Sequence, residues 1–432
     1  MLLQIKQWEC KYLRDFSAVK NGEITEGQLY TKLIAMYYDF VSANNIEPFT
    51  ISYGRGYGFC INANSHIGVI VNDDIALYIT SMVPDLTLGK ILYLQSQGQN
   101  DNNTTTKQVL TDHLNDEESI NAIDYFIVSL VDIFEDIKQN GLLTELVSVN
   151  EENNKIIGRL SVPKQVAKHP AYDKFCVEKV KSSTDILINQ IIRSALEKAK
   201  TLTALQWLIP IISDAIDFIS DVTKIDDLES IDFPNVSDYT SIKRDDYDKA
   251  LRFSKYILFG FDPLEGESSE YFPEFILDMN AVFENYVNIG LKRIFKSGYE
   301  NKKIFSLGLG PIDIPIERKN IELDGYYNDG SKRVVLDTKN KYKSVLDKDA
   351  PDFIANNPDI YQQYYYASRI DAKHIILVYP SSKKRTAPIG AYDLNFPNNK
   401  DVKMYFWALH ISGTPKENKK ALINLAQFID SL

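Results

Sequence analysis

The sequence LDGYYNDGSKRVVLDTKNKYK, residues 323–343, decides the fold of the last third of the chain. Its NDGS segment tolerates the positive φ angles of a tight hairpin turn and lies between two runs rich in Tyr and Val, so we predict two paired strands. The apolar run at 334–336 is typical of a strand buried on both faces, and the polar triplet DTK follows it directly. The hairpin therefore predicts that Asp324 and Asp337 meet at one edge of a sheet.

This pair of acids has the layout of a metal-dependent phosphodiesterase site. Two carboxylates held close together repel each other unless a cation neutralises them, and Mg²⁺ prefers a few carboxylate oxygens, retained waters and a substrate phosphate. Lys339 lies two residues beyond Asp337, so on a strand it points to the same face and can orient or help to deprotonate an attacking water. The pattern indicates hydrolysis of a phosphodiester.

An acid-x-Lys pattern is common by chance in a chain in which 25% of residues are charged. It recurs at Asp136/Lys138, Glu300/Lys302, Asp371/Lys373, Asp401/Lys403 and Glu417/Lys419. The first of these pairs lies in a helical pattern, the third precedes its strand, and we assign the other three to polar, loop-like stretches. Because only Asp337/Lys339 ends a buried strand, the interpretation depends on this context and not on the triplet.

A predicted helix precedes the hairpin. Residues 272–295 carry apolar side chains at helical spacing, with Pro273 near the start. Glu284 lies within this helix, where it is either a candidate metal ligand or an ordinary solvated acid.

A second helix follows the hairpin, begins after Pro358, and is followed by a strand at 374–379. Gln362 and Tyr366 lie one helical turn apart, where they brace the site, contact the DNA backbone or belong to the core. The order helix, three antiparallel strands, helix, strand resembles that of the PD-(D/E)xK nuclease fold.

Several segments resemble a more specific family, the McrC subunit of McrBC-type restriction systems and the related LlaJI-type endonuclease subunits. In the nuclease block they are DMNAVFENYV, with Glu284, and ELD, VVLDTKNK and DIYQQYYYA. Two middle segments, NGLLTELVSVNEENNKIIGRLSV and STDILINQIIRSAL, share the likeness. Leu323 stands where the superfamily name has Pro, and the N-terminal third is less like the family.

The resemblance implies a set of roles for individual residues. Asp324 and Asp337 bind Mg²⁺, with Mn²⁺ as the alternative ion, and Lys339 activates the nucleophile. Further residues implied in the site are Glu284 and the backbone carbonyl of Thr338 as metal ligands, Gln362 and Tyr366 as catalytic-site residues, and Lys341 and Lys343 as phosphate or DNA contacts.

Composition favours a nuclease that depends on a partner. Lys and Arg number 48 against 59 Asp and Glu, a formal net charge of -11, whereas a protein that binds DNA by itself usually has a basic excess. No GxxxxGK[ST] motif occurs, so we expect no nucleotide hydrolysis by this chain alone. The resemblance implies a McrB-like AAA+ GTPase ring as partner, whose GTP hydrolysis this chain stimulates, and double-stranded DNA as substrate.

The 432 residues predict an α+β multidomain chain. We expect a β-rich, barrel-like, partner-engaging module at 1–115, a mainly helical middle domain at 116–265, and a PD-(D/E)xK nuclease domain at 266–432. The three cysteines and five histidines form no metal-binding spacing, and neither a signal peptide nor a membrane-spanning run is recognisable. We therefore expect a cytoplasmic protein.

Two other interpretations stay open. In the first, the chain is an assembly subunit whose nuclease fold has lost its activity. The intact Asp324, Asp337 and Lys339 argue against this interpretation. Alternatively it is a free-standing RecB-like repair nuclease, which also accounts for Gln362 and Tyr366.

Overall fold

The computed structural model describes residues 1–72, 75–98, 113, 121–168, 173–225, 233–259, 275–306, 320–342, 357–396 and 399–432. The chain forms two compact units, one made of Met1–Ala122 and Asp262–Leu432 and the other of Ile123–Phe261. The predicted linker at 261–273 and the predicted DNA contact Lys343 lie outside the described residues. Within these ranges, no helix combines the length and apolar character that crossing a membrane requires.

Helices and strands are numbered here in chain order. The strands are β1 (Leu2–Lys6), β2 (Cys10–Tyr12), β3 (Phe49–Gly54), β4 (Gly58–Ala63), β5 (His66–Asn72), β6 (Ile75–Thr80), β7 (Glu145–Asn153), β8 (Arg159–Leu160), β9 (Phe175–Ser183), β10 (Phe275–Asp278), β11 (Tyr299–Ser306), β12 (Asn320–Asn328), β13 (Arg333–Thr338), β14 (His374–Ser381), β15 (Gly390–Phe396) and β16 (Asn399–His410). The helices are α1 (Ser17–Lys20), α2 (Glu26–Asn44), α3 (Leu88–Gln97), α4 (Ala122–Asn140), α5 (Val162–Ala167), α6 (Leu187–Leu202), α7 (Leu208–Phe218), α8 (Asp245–Phe259), α9 (Met279–Phe295), α10 (Asn357–Arg369) and α11 (Pro415–Ser431). The prediction of a mixed α+β fold is confirmed.

The unit Ile123–Phe261 combines helices with an antiparallel sheet of order β7-β9-β8, and α6 packs against α7 and α8. Its core contains a polar network around Asn189, which is fully buried. The Asn189 amide nitrogen donates to the carbonyls of Leu143 (2.9 Å) and Thr184 (2.7 Å). Its amide oxygen accepts from the Tyr247 hydroxyl at 2.8 Å, and that hydroxyl accepts from the Leu143 N–H at 2.9 Å. The network therefore fixes the segment that leads into β7.

We expect Asn189→Ala to lower the stability of this unit by about 2–3 kcal/mol, because it leaves buried carbonyls and a hydroxyl without partners. The measurement is native-state hydrogen exchange of the α6 amides. Asn153→Ala is the control, because among the described residues the Asn153 amide nitrogen donates one long hydrogen bond, 3.5 Å to Glu151, and its loss should change stability by less than about 0.5 kcal/mol. Equal effects of the two substitutions would contradict the role of the network.

The N-terminal strands form two sheets instead of one. The first is antiparallel, in the order β2-β4-β3, and the second has the order β1-β6-β5-β10, with β1 parallel to β6. Helix α2 begins at a capping box formed by Thr25 and Gln28 and buries Leu29 and Leu33 in the core shared with these strands. The predicted strands and helix of this region are present. A closed barrel is not found among the described residues, because the second sheet recruits β10 from far along the chain.

The predicted helix at 272–295 begins later than expected. Residues Phe275–Asp278 form β10, which pairs antiparallel with β5 and places Ile276 opposite Gly68. The Asp278 carboxylate then accepts a hydrogen bond from the Asn280 N–H at 2.9 Å and caps α9. Sequence periodicity missed this boundary because the pairing partner of β10 lies more than 200 residues earlier.

A six-stranded sheet of order β11-β12-β13-β14-β16-β15 forms the C-terminal part. Strands β11, β12 and β13 are antiparallel neighbours, and β13, β14 and β16 run parallel. Helix α10 packs against β13 and β14, and α9 packs against β11, β12 and β13. The predicted hairpin is confirmed, since β12 pairs with β13 in a register that places Gly325 opposite Leu336.

Three of the chance acid-x-Lys pairs were assigned wrongly to loops. Glu300/Lys302 lies in β11, Asp401/Lys403 in β16 and Glu417/Lys419 in α11. Strand β11 lies at the edge of the sheet, where charged side chains can reach solvent. A polar stretch at this position is therefore compatible with a strand.

Candidate functional site

The register of the hairpin brings the two predicted acids together. Gly325 lies opposite Leu336 in this antiparallel pair. Asp324, which precedes Gly325, is therefore beside Asp337, which follows Leu336. Asp337 is also in register with Leu377 of the parallel strand β14. Asp337 therefore lies at the end of the buried run of β13, the strand that joins the antiparallel part of the sheet to its parallel part.

Asp324 is held by the end of β13. One oxygen, Oδ2, accepts hydrogen bonds from the Thr338 N–H and from the Thr338 hydroxyl, both at 3.0 Å. The neighbouring Gly325 is tightly enclosed, because a Cβ there would lie 2.2 Å from the Tyr299 hydroxyl and 2.5 Å from the Asn288 side-chain oxygen. The Tyr299 hydroxyl donates to that oxygen at 2.6 Å. A side chain at position 325 would clash with Tyr299 and Asn288, so the glycine lets the backbone beside Asp324 pass close to them.

Asp337 is buried and has two close side-chain partners. Its Oδ1 accepts from the Gln363 amide nitrogen at 2.7 Å, and its Oδ2 lies 2.8 Å from the Lys339 ammonium. Burial raises the pKa of Asp337 to about 7, and the charge of Asp324 acts in the same direction. Burial lowers the pKa of Lys339, but the contact with Asp337 and the charges of Asp359 and Asp324 together outweigh this effect, and the net pKa is raised.

Glu284 lies on α9 near the same acids. It is half-buried, and one of its oxygens lies 3.5 Å from the Lys302 ammonium of β11. Burial raises the pKa of Glu284, and the negative charge of Asp324 adds to the rise. The predicted ligand is therefore within electrostatic reach of Asp324, with a lysine as its present counterion.

The other predicted residues lie in different surroundings. The exposed Gln362 donates a hydrogen bond to the Tyr366 hydroxyl at 3.0 Å, and Tyr366 is partly buried against the core of the sheet. Neither is hydrogen-bonded to Asp324 or Asp337 in the described part of the chain. Lys341 contacts Asp359 at 3.2 Å. The backbone N–H and hydroxyl of Thr338 bind Asp324, as given above, while a ligand role for its carbonyl stays a prediction.

Sequence reasoning missed two residues of α10 that contact the site, one at Asp337 and the other at Lys339. Gln363 is 1% exposed and binds Asp337, whereas its neighbour Gln362 is exposed. Asp359 is 8% exposed and contacts Lys339 and Lys341. A helical stripe with i, i+4, i+8 and i+11 spacing was the available signal, because Ala367 and Ile370 continue the Asp359 and Gln363 face into the core.

The donor set suits a hard divalent cation. Two buried or half-buried carboxylates that repel each other, with the charge of Glu284 nearby, provide the oxygen ligands that Mg²⁺ prefers. The buried Gln363 Oε1 has no hydrogen-bond partner among the described residues and can accept from a water. No cluster of three or more His, Cys, Asp or Glu side chains with metal-binding geometry occurs in the described ranges.

We expect the metal-free protein to lose stability as the pH rises. The pKa of Asp337 is raised from 3.8 to about 7, so the folded chain binds more protons than the unfolded chain in this interval and its stability falls through it. Asp337→Asn removes this loss, and its melting temperature in chelator should exceed that of the wild type at about pH 8 but not at about pH 4. Asp371→Asn, at a side chain 77% exposed, is the control and should match the wild type at both pH values. A pH-independent difference would contradict the assignment.

The sequence matches the profile of the family described as McrBC 5-methylcytosine restriction system component over residues 61–380. The chain belongs to this family. The match includes Glu284, the hairpin with Asp324, Asp337 and Lys339, and all of α10. The family resemblance read from the sequence is thereby confirmed.

Two solved structures from Thermococcus gammatolerans are similar to this chain. One comes from a refined half-complex of a tetradecameric assembly of McrB AAA+ hexamers with bound McrC, with a TM-score of 0.49 and 17% identity over 98% of this chain and 100% of that chain. The other is the McrBC complex, with a TM-score of 0.33 and 18% identity over 68% of this chain and 88% of that chain. Both scores are too low to support an argument about function. No curated protein matches the chain.

Proposed function

We propose that this chain is the DNA endonuclease subunit of a McrBC-type restriction system. It cleaves phosphodiester bonds of double-stranded DNA with Mg²⁺, or with Mn²⁺ as the alternative ion. The C-terminal region is a PD-(D/E)xK nuclease domain, and the chain acts with a McrB-like AAA+ GTPase whose GTP hydrolysis it stimulates. The observation that carries the proposal is the meeting of Asp324, Asp337 and Lys339 at one point of the sheet, within a chain of the McrBC family.

Each residue has a distinct task in this proposal. Asp324 and Asp337 hold the cation, and Glu284 assists from α9. The cation supplies neutralisation of the phosphate charge and a more acidic water. Lys339, whose raised pKa keeps it protonated, would donate a hydrogen bond that orients the attacking water, while Gln363 holds Oδ1 of Asp337 and leaves Oδ2 available to the cation.

The partner in this proposal rests on the family and on the charge of the chain. A net charge of -11 gives little general attraction for DNA, so a partner must supply affinity and sequence recognition. Family membership favours this interpretation over a free-standing repair nuclease.

The proposal is tested by plasmid cleavage with the purified chain and its McrB-type partner. We expect cleavage with Mg²⁺ and GTP together, no cleavage in chelator, and faster GTP hydrolysis by the partner when the chain is added. Methylated and unmethylated plasmids identify the substrate. Stimulated GTP hydrolysis without cleavage of any DNA would instead support an inactive assembly subunit.

The neighbouring residues Gln363 and Gln362 provide a matched pair of variants. We expect Gln363→Leu to lower cleavage about 10–100-fold, because Asp337 loses the hydrogen bond that orients it. Gln362→Leu removes only an exposed contact with Tyr366 and should change cleavage by less than about twofold. Single-turnover rates at saturating Mg²⁺ measure both. The reverse order of effects would show that the outer face of α10 is the functional one.

A further inference from the structure

The roles assigned above leave Asp359 unused, although it is a buried carboxylate close to the site. It lies on the first turn of α10, four residues before Gln363. Its oxygens are 3.9 Å from the Lys339 ammonium and 3.2 Å from the Lys341 ammonium. Its charge also reaches Asp337, where it adds to the repulsion among the acids. A buried carboxylate is costly unless it has a partner, and here its partners are two lysines that directly follow β13.

Lys339 lies between two acids. It contacts Asp337 at 2.8 Å and has Asp359 on another side at 3.9 Å. The oxygen that it contacts, Asp337 Oδ2, is the one that Gln363 leaves open, since Gln363 binds Oδ1. Lysine and a divalent cation therefore compete for one carboxylate oxygen.

We propose that Asp359 is a positioning residue that holds the Lys339 ammonium when a divalent cation takes its place on Asp337. This inference rests on the proposed function of the site. Asp359 provides a nearby anion, so that Lys339 exchanges one ion pair for another and does not become a buried, unpaired charge. Lys341, which contacts both oxygens of Asp359 at 3.4 and 3.2 Å, keeps the carboxylate in place beside Lys339.

Charge balance favours a movement of Lys339 toward Asp359 when a cation binds. In the metal-free arrangement Lys339 neutralises Asp337, whereas a bound cation and Lys339 in the same position would repel each other. A short displacement toward Asp359 relieves the repulsion and keeps the ammonium beside the phosphate and the attacking water. Without a carboxylate at 359, Lys339 stays on Asp337 and opposes metal binding.

The test is Mg²⁺ affinity, measured by calorimetry or by the Mg²⁺-dependent rise in melting temperature, without DNA. We expect Asp359→Asn to weaken Mg²⁺ binding about 10–100-fold and Asp359→Glu to restore much of it. Asp393→Asn removes an exposed acid that pairs with Lys403 on the same sheet, and should leave Mg²⁺ binding unchanged.

A double-mutant cycle separates the proposed role from direct coordination. If Asp359 acts through Lys339, then in a Lys339→Met background Asp359→Asn changes the Mg²⁺ affinity by less than about twofold. An equal loss in both backgrounds would identify Asp359 as a metal ligand and overturn the proposal, as would an unchanged affinity in Asp359→Asn alone. Failure of the proposed function looks different, because the wild type and Asp337→Asn would then show the same response to Mg²⁺.

Discussion

Asp337→Asn should abolish DNA cleavage, lowering the single-turnover rate about 10³-fold or more while the chain still binds its AAA+ partner. The substitution keeps the shape of the side chain and the hydrogen bond from Gln363, but it removes the charge that a cation requires. The measurements are plasmid cleavage with the McrB-type partner, Mg²⁺ and GTP, and co-purification with that partner.

Asp371→Asn is the matched control for this prediction. Asp371 and Lys373 repeat the acid-x-Lys spacing, but their ion pair of 3.7 Å is largely exposed and precedes β14 instead of ending β13. Cleavage by this variant should be unchanged. Undiminished cleavage by Asp337→Asn would show that the hairpin is not part of the catalytic site.

The sequence predicted the hairpin well because its signals are local. The turn residues, the buried run of β13 and the polar triplet lie within 21 residues, and each of them favours the same paired strands. The same reasoning placed Asp324 and Asp337 at neighbouring positions. Local patterns are sufficient where the pairing partner is the next strand along the chain.

The helix phase of α10 was harder to predict. Gln362 and Gln363 are adjacent and chemically identical, so only the burial of one face distinguishes them. The sequence stretch contains aromatic residues on several faces, which obscured the stripe that leads to Ala367 and Ile370. Burial against the sheet, which is a tertiary property, made Gln363 the partner of Asp337.

Gly68→Ala should have the largest effect on stability. Gly68 has a φ of +133°, and a Cβ there would lie 1.9 Å from the carbonyl oxygen of Phe275 on β10. Both the backbone conformation and the close approach exclude a side chain, so β5 and β10 must separate or shift. We expect a loss of about 3–5 kcal/mol, measured by urea unfolding, and faster hydrogen exchange in β10.

Gly22→Ala separates the two causes. Gly22 also has a positive φ, +77°, but a Cβ there meets nothing within 4 Å. This control should cost only about 1–2 kcal/mol, the penalty of the left-handed backbone alone. Equal losses at the two glycines would contradict the importance of the β5–β10 contact.

The β5–β10 pairing also shows where sequence reasoning ended. Strand β10 is four residues long and continues directly into α9, so its apolar residues extend a helical pattern. Only the approach of β5, with Gly68 opposite Ile276, makes these residues a strand. The consequence for the site is that α9, which carries Glu284, begins at Met279 directly after a strand that is paired in a sheet.

The most direct test of the account is the position of a bound cation in crystals of the chain soaked with Mn²⁺. We expect an anomalous signal from a cation that is bound by carboxylate oxygens of Asp324 and Asp337. The Lys339 ammonium should have moved away from Asp337 toward Asp359. A soaked crystal without a signal at these carboxylates, and with Lys339 still on Asp337, would contradict the assignment of this hairpin as a metal-dependent nuclease site.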